Sequence, residues 1–79
     1  MKTIRIEYFA ALREHTGLSS EEIATDAQTV DQLYAELDGR HEFPALGQLK
    51  VAVNDEFGDW QSGLADGDLV VFIPPVAGG

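Results

Sequence analysis

No cysteine occurs among the 79 residues, which excludes disulfides, thiolate metal sites and a cysteine nucleophile. Bases are scarce. Five lysines and arginines face fourteen acids, and a net charge of −9 argues against nucleic acid, whose phosphates the chain would repel. The same imbalance fits a protein partner with a basic docking surface. Uninterrupted apolar runs are short, so no segment spans a membrane. The opening Met1-Lys2-Thr3-Ile4-Arg5 carries no hydrophobic signal segment, and the expected location is the cytoplasm. His15 and His41 fall in different elements with no second ligand at metal spacing, so both are expected to be solvated and no metal is expected. Ser19, Ser20 and Ser62 lack a histidine in any nucleophile motif. The body of the chain thus offers no catalytic constellation.

What is present reads as one small domain, with an ordinary apolar share of 44%. Residues 3–9 alternate, Ile4, Ile6 and Tyr8 against Arg5, Glu7 and Phe9, as a half-buried strand does. Residues 10–15 are helix formers that Gly17 stops, and a short strand follows around Ile23. Thr29-Val30-Asp31-Gln32 has the capping-box pattern, and Val30, Leu33, Tyr34 and Leu37 form one apolar stripe. A helix is expected over 30–38, ended by Gly39. Pro44 and Gly47 break the next stretch. Strands are expected at 50–53, briefly within 56–60, and at 69–73, with turns at Asn54-Asp55 and Asp66-Gly67-Asp68. This order predicts an α+β roll of the β-grasp kind: a mixed sheet of about five strands, one main helix and short helical turns. Its first and last strands would pair in parallel at the sheet centre.

Two features remain once the core is assigned. The last strand is apolar on both faces, yet one helix covers only one of them. Phe9, Phe57, Val71 and Ile73 are therefore expected to make an exposed docking patch, rimmed by Asp55, Glu56, Asp59, Asp66 and Asp68. The domain, residues 1–73, is expected to continue into an extended tail over 74–79: Pro74-Pro75-Val76-Ala77-Gly78-Gly79. Six residues reach about 20 Å at roughly 3.3 Å each, and two glycines without Cβ fit a channel too narrow for other residues. The group in a special position is then the carboxylate of Gly79. A carboxylate needs activation before acyl transfer, most simply as a mixed anhydride with AMP. Transfer to a sulfur nucleophile would leave a C-terminal thiocarboxylate.

The chain resembles the small subunit of molybdopterin synthase, a family of ubiquitin-like sulfur carriers. The likeness rests on Tyr8-Phe9-Ala10-Ala11-Leu12-Arg13-Glu14, Val51-Ala52-Val53-Asn54, Leu64-Ala65-Asp66-Gly67-Asp68 and Phe72-Ile73-Pro74-Pro75-Val76-Ala77-Gly78-Gly79. A bare terminal Gly-Gly would also suit thiamine-pathway or tRNA-thiolating carriers and ubiquitin-like modifiers; the Pro-Pro and the Phe9–Glu14 segment set this chain apart. The resemblance implies that an E1-like enzyme adenylates Gly79 with ATP and Mg²⁺ and that a sulfurtransferase installs sulfur. It also implies that residues 74–78 thread into a large catalytic subunit. Sulfur would pass there to cyclic pyranopterin monophosphate within a heterotetramer, docked through Phe9, Phe57 and Ile73. The chain itself would bind no cofactor and would not be an enzyme alone.

Overall fold

The computed structural model describes residues 1–43 and 49–74. The expected breaker stretch around Pro44 and Gly47 and the tail residues Pro75, Val76, Ala77, Gly78 and Gly79 lie outside the described residues. The elements run β1 (Lys2–Tyr8), α1 (Ala10–Thr16), β2 (Ser20–Thr25), α2 (Val30–His41), β3 (Lys50–Val53), β4 (Glu56–Gly58) and β5 (Leu69–Ile73). The five strands form one sheet in the order β2-β1-β5-β3-β4. β1 and β5 pair in parallel at its centre, with Ile6 opposite Val70 and Tyr8 opposite Phe72, and the other pairings are antiparallel. This is the expected β-grasp arrangement.

Period-two patterning explains why one face of the sheet is apolar. Ile4, Ile6 and Tyr8 of β1, Val70 and Phe72 of β5, Ile23 of β2 and Val51 of β3 turn to that side, and all are buried. Val30, Leu33 and Leu37 of α2 and Leu12 of α1 close over them. Fully burying each such side chain contributes about 1.5–3 kcal/mol, so this one layer carries most of the stability of a small domain. Thr29 caps α2, its hydroxyl accepting from the Gln32 amide at 3.3 Å, while the Gln32 side chain accepts from the Gln28 amide at 2.8 Å. Two more amides at that helix end donate to loop carbonyls, Val30 to Ser62 at 3.1 Å and Asp31 to Trp60 at 2.9 Å. The loop after β4 is thereby pinned to α2.

Three boundaries differ from expectation. α2 runs through Gly39 to His41, because contacts distant in sequence hold its last turn. His41 Nε2 lies 2.8 Å from Glu21 Oε2 on β2, and the left-handed cap passes to Glu42, φ 51°, whose amide donates to the Asp38 carbonyl. β1 ends at Tyr8, leaving Phe9 as the residue before α1. β4 covers only Glu56–Gly58, after which Asp59 begins a turn whose carbonyl accepts from the Ser62 amide at 3.1 Å. Gly17 ends α1 as expected, at φ 76°. Among the described residues no helix is long and apolar enough to cross a membrane.

Candidate functional site

The second face of the sheet has no helix over it, and strand register says which side chains share it. One row crosses the sheet as Glu7, Val71, Ala52 and Phe57 on β1, β5, β3 and β4. Lys50 stands opposite Ile73 in the neighbouring row, and Arg5 stands between Glu22 and Leu69 in the other. Of the four residues expected to form an exposed patch, Phe57 is 76% exposed, Phe9 46%, and Ile73 half-buried. Val71 is only 7% exposed, which corrects its place in the patch. It sits on the central strand, where side chains of both flanking strands shield it laterally whatever face it takes. Ala52 beside it is buried too, at 9%, and these two form the floor of the apolar strip.

Local geometry explains why the two phenylalanines stand out from this floor. The chain leaves β1 through Ala10 at φ 49°, a left-handed geometry that costs an alanine about 1 kcal/mol, and Phe9 is displayed at that sharp exit. Phe57 rides on a tight hairpin whose two loop residues, Asn54 and Asp55, take φ 52° and 71°, the pair of positive values of a type I′ turn. Asn54 locks the hairpin to the start of β5. Its amide donates to the Leu69 carbonyl at 2.8 Å, its Nδ2 to Asp68 Oδ1 at 2.9 Å, and its Oδ1 accepts from the Leu69 amide at 3.0 Å.

The acidity of the chain is not concentrated on this face. Arg5 and Lys50 offset Glu7 and Glu22 there. Asp55, Glu56 and Asp59 are exposed around Phe57, as an acidic rim would be. Asp66 and Asp68 instead close turns: Asp66 Oδ1 accepts from the Thr3 amide at 2.7 Å, and Asp68 Oδ2 from the Ala65 amide at 2.8 Å.

The end of β5, at the root of the expected tail, is firmly held. Phe72 is fully buried, stacked on Trp60 at a centroid distance of 6.1 Å and edge-on to Tyr34 at 5.4 Å. Pro74, expected to open the free arm, is itself buried. β5, the strand that ends at this root, is the middle strand of the five and is held on both sides by backbone pairing.

On the helix side His15 is exposed as expected, whereas His41 is largely covered and paired. His41 and Tyr8 converge on Glu21, the phenol donating to Oε2 at 2.6 Å. His15, though exposed, reaches the His41 carbonyl with Nε2 at 2.7 Å, so that nitrogen must donate. Burial pushes the Tyr8 phenol far above its ordinary range, and the Glu21 carboxylate that accepts its hydrogen bond adds to the effect. This knot joins α1, α2, β1 and β2 at the end of the sheet where β1 finishes. Nothing in the local sequence announced it, since its partners come from four elements. Among the described residues no group of three or more His, Cys, Asp or Glu could hold a metal ion.

The fold and site have known counterparts. The model of the ThiS family matches residues 6–79. The molybdopterin synthase sulfur carrier subunit of Escherichia coli (strain K12) is 38% identical over 80 residues, covering 96% of this chain and 99% of that protein. The putative molybdopterin converting factor subunit 1 of Pyrococcus furiosus superposes with a TM-score of 0.81 at 30% identity, covering 96% of this chain and 100% of that one. A chain of the Helicobacter pylori complex of subunits 1 and 2 of molybdopterin-converting factor matches with a TM-score of 0.64 at 28% identity, covering 98% and 99%.

Proposed function

This chain belongs to the ThiS family, and we propose that it is the sulfur-carrying small subunit of a molybdopterin synthase. The observation that carries this reading is the likeness at 38% identity to a sulfur carrier subunit, which extends over 99% of that relative. The structure supports it in two ways. β5 delivers the tail from the sheet centre with Phe72 buried beneath its root, and an apolar strip with Phe9 and Phe57 at its margins lies on the adjoining open face. The residues of the body do no chemistry in this reading. They hold the tail, present it, and recognise its destination.

The reacting atom is the carbonyl carbon of Gly79. An activating enzyme of the E1 type transfers AMP from ATP to the carboxylate, releasing pyrophosphate. A sulfide-level nucleophile from a sulfurtransferase system then attacks that carbon and AMP departs, leaving a thiocarboxylate. Within the large subunit the thiocarboxylate sulfur attacks an oxygen-bearing side-chain carbon of cyclic pyranopterin monophosphate, and the carbon–oxygen bond there breaks with the oxygen as leaving group, to give an acyl thioester. Water cleaves the acyl–sulfur bond, so sulfur stays on the pterin and the carboxylate is restored. Small side chains at Ala77, Gly78 and Gly79 suit a narrow passage, and Pro74 and Pro75 favour an extended approach. The H. pylori complex of subunits 1 and 2 supports a large-subunit partner, and a cytoplasmic heterotetramer of two small and two large subunits is the assembly this reading expects.

Intact-mass spectrometry tests the central step. Incubated with its activating enzyme, ATP and a sulfur source, the chain should gain the mass difference between sulfur and oxygen, and a variant lacking Gly79 should not. With active partners, an unchanged mass refutes the carrier role. Isopeptide adducts on lysines in place of that gain would mark a protein modifier instead.

A further inference from the structure

Beside the open face, at the β4 edge of the sheet, lies a cavity of about 400 Å³. Leu49, Val51, Phe57 and Trp60 wall it, with Lys50 and Asp59 as its polar members. Its back wall is rigid. The Trp60 carbonyl accepts from the Asp31 amide at the start of α2, and its ring lies edge-on to Tyr34 at 5.3 Å and flat on Phe72 at 6.1 Å. The turn beneath is equally fixed, with Asp59 N donating to Ser62 Oγ at 3.1 Å and Gln61 N to Asp59 Oδ1 at 2.8 Å. A Cβ at Gly58 would come within 2.9 Å of Ser62 Oγ, so glycine lets β4 lie directly on this turn.

Two observations say what fits. Phe57 lines the cavity and also ends the apolar row of the open face, so the two surfaces are continuous. Lys50 and Asp59 are both exposed, which leaves a small polar ligand no desolvated anchor, whereas the hydrocarbon wall suits a side chain carried by a protein. Lys50 makes no ion pair among the described residues and stands opposite Ile73 at the root of the tail. In a chain of net charge −9, a cation at that spot is complementary to an acidic group from outside.

We propose that the cavity takes one large apolar side chain of the large synthase subunit, and that Lys50 pairs with a carboxylate of the same subunit. This rests on the sulfur-carrier reading and extends the docking face around the β4 edge. Trp60 becomes the contact that fixes the angle at which the tail enters.

Trp60 is the only tryptophan, so carrier labelled with 5-fluorotryptophan gives a single fluorine resonance. Titrated with unlabelled large subunit, that resonance should move to a new position at saturation. Lys50→Glu should weaken the calorimetric affinity about tenfold or more, while Arg40→Glu, on the α2 side with the same change in net charge, should alter it less than about twofold. A complex that forms with normal affinity while the resonance stays fixed and Lys50→Glu is silent overturns the cavity contact and leaves the carrier reading standing. Failure of an active large subunit to bind at all overturns both. A resonance that moves on deleting residues 75–79, or on concentrating the carrier alone, assigns the cavity to the chain's own tail or to a second copy and refutes the proposal.

Discussion

Truncating Phe57 to alanine separates docking from folding. The side chain sits on a three-residue edge strand and is 76% exposed. A phenylalanine buries about 200 Å² when fully covered, so roughly 150 Å² of this one is open to a partner. At about 25 cal/mol per Å² the ceiling on its contribution is about 4 kcal/mol. Ordering of the side chain and incomplete coverage reduce this to about 2–3 kcal/mol, an expected loss of about 30- to 150-fold in affinity for the large subunit. Phe9, 46% exposed, has a ceiling of about 2 kcal/mol by the same reasoning, and Phe9→Ala should weaken binding by about 5- to 10-fold. Val71→Ala is the contrast. Being 7% exposed, Val71 should cost about 1–2.5 kcal/mol of stability when truncated and leave the affinity of the folded fraction unchanged. Calorimetric titration against the large subunit reads the first quantity, and thermal unfolding followed by circular dichroism reads the second. The reasoning fails if Phe57→Ala binds within about twofold of wild type, or if it lowers stability by more than about 0.5 kcal/mol.

Tyr8 and Tyr34 are the only tyrosines, and burial pushes both phenols up, Tyr8 furthest. Their folded values lie above those of the unfolded chain, so the neutral phenols favour folding below about pH 10, and that contribution is lost as pH climbs further. Near-ultraviolet absorbance should show at most one of the two tyrosines ionised while the far-ultraviolet dichroism is native, the Tyr8 phenolate appearing only with unfolding; both tyrosines half-ionised in a still-folded protein would contradict this. Asp55 holds φ 71° in the β3–β4 turn, where glycine is unstrained, so Asp55→Gly should raise stability by about 0.5–1 kcal/mol. The urea midpoint should rise with an unchanged slope, and a lower midpoint would show that the Asp55 side chain matters more than its backbone.

The elements that sequence marked well are those whose signal is local. Ile4, Ile6 and Tyr8 repeat every second residue and are all buried; Val30, Leu33 and Leu37 repeat at helical spacing and are buried as well. Thr29 and Gln32 announce the start of α2, and Gly17 the end of α1. Parity marked Phe9 on the first strand and Val71 and Ile73 on the last as facing away from the helix, and Phe57 read as a surface residue; the register puts Phe57, Val71 and Ile73 on one face. What parity does not contain is the lateral position of a strand in the sheet. Val71 and Phe57 share a row, yet one is 7% exposed and the other 76%, because β5 is central and β4 is an edge. The same non-local dependence moved the end of α2. Gly39 is a sound stop by itself, but Glu21, 20 positions from His41, holds the helix for three more residues. The candidate site sits where these two kinds of information meet. The proposed chemistry rests on a glycine pair that needs no neighbours to be noticed, whereas the surface beside it depends on which strand lies beside which. The cavity between Phe57 and Trp60 belongs wholly to the second kind. Its walls come from β3, β4 and a turn fastened to α2, so only the assembled fold shows that an exposed phenylalanine and a lone lysine border one and the same opening.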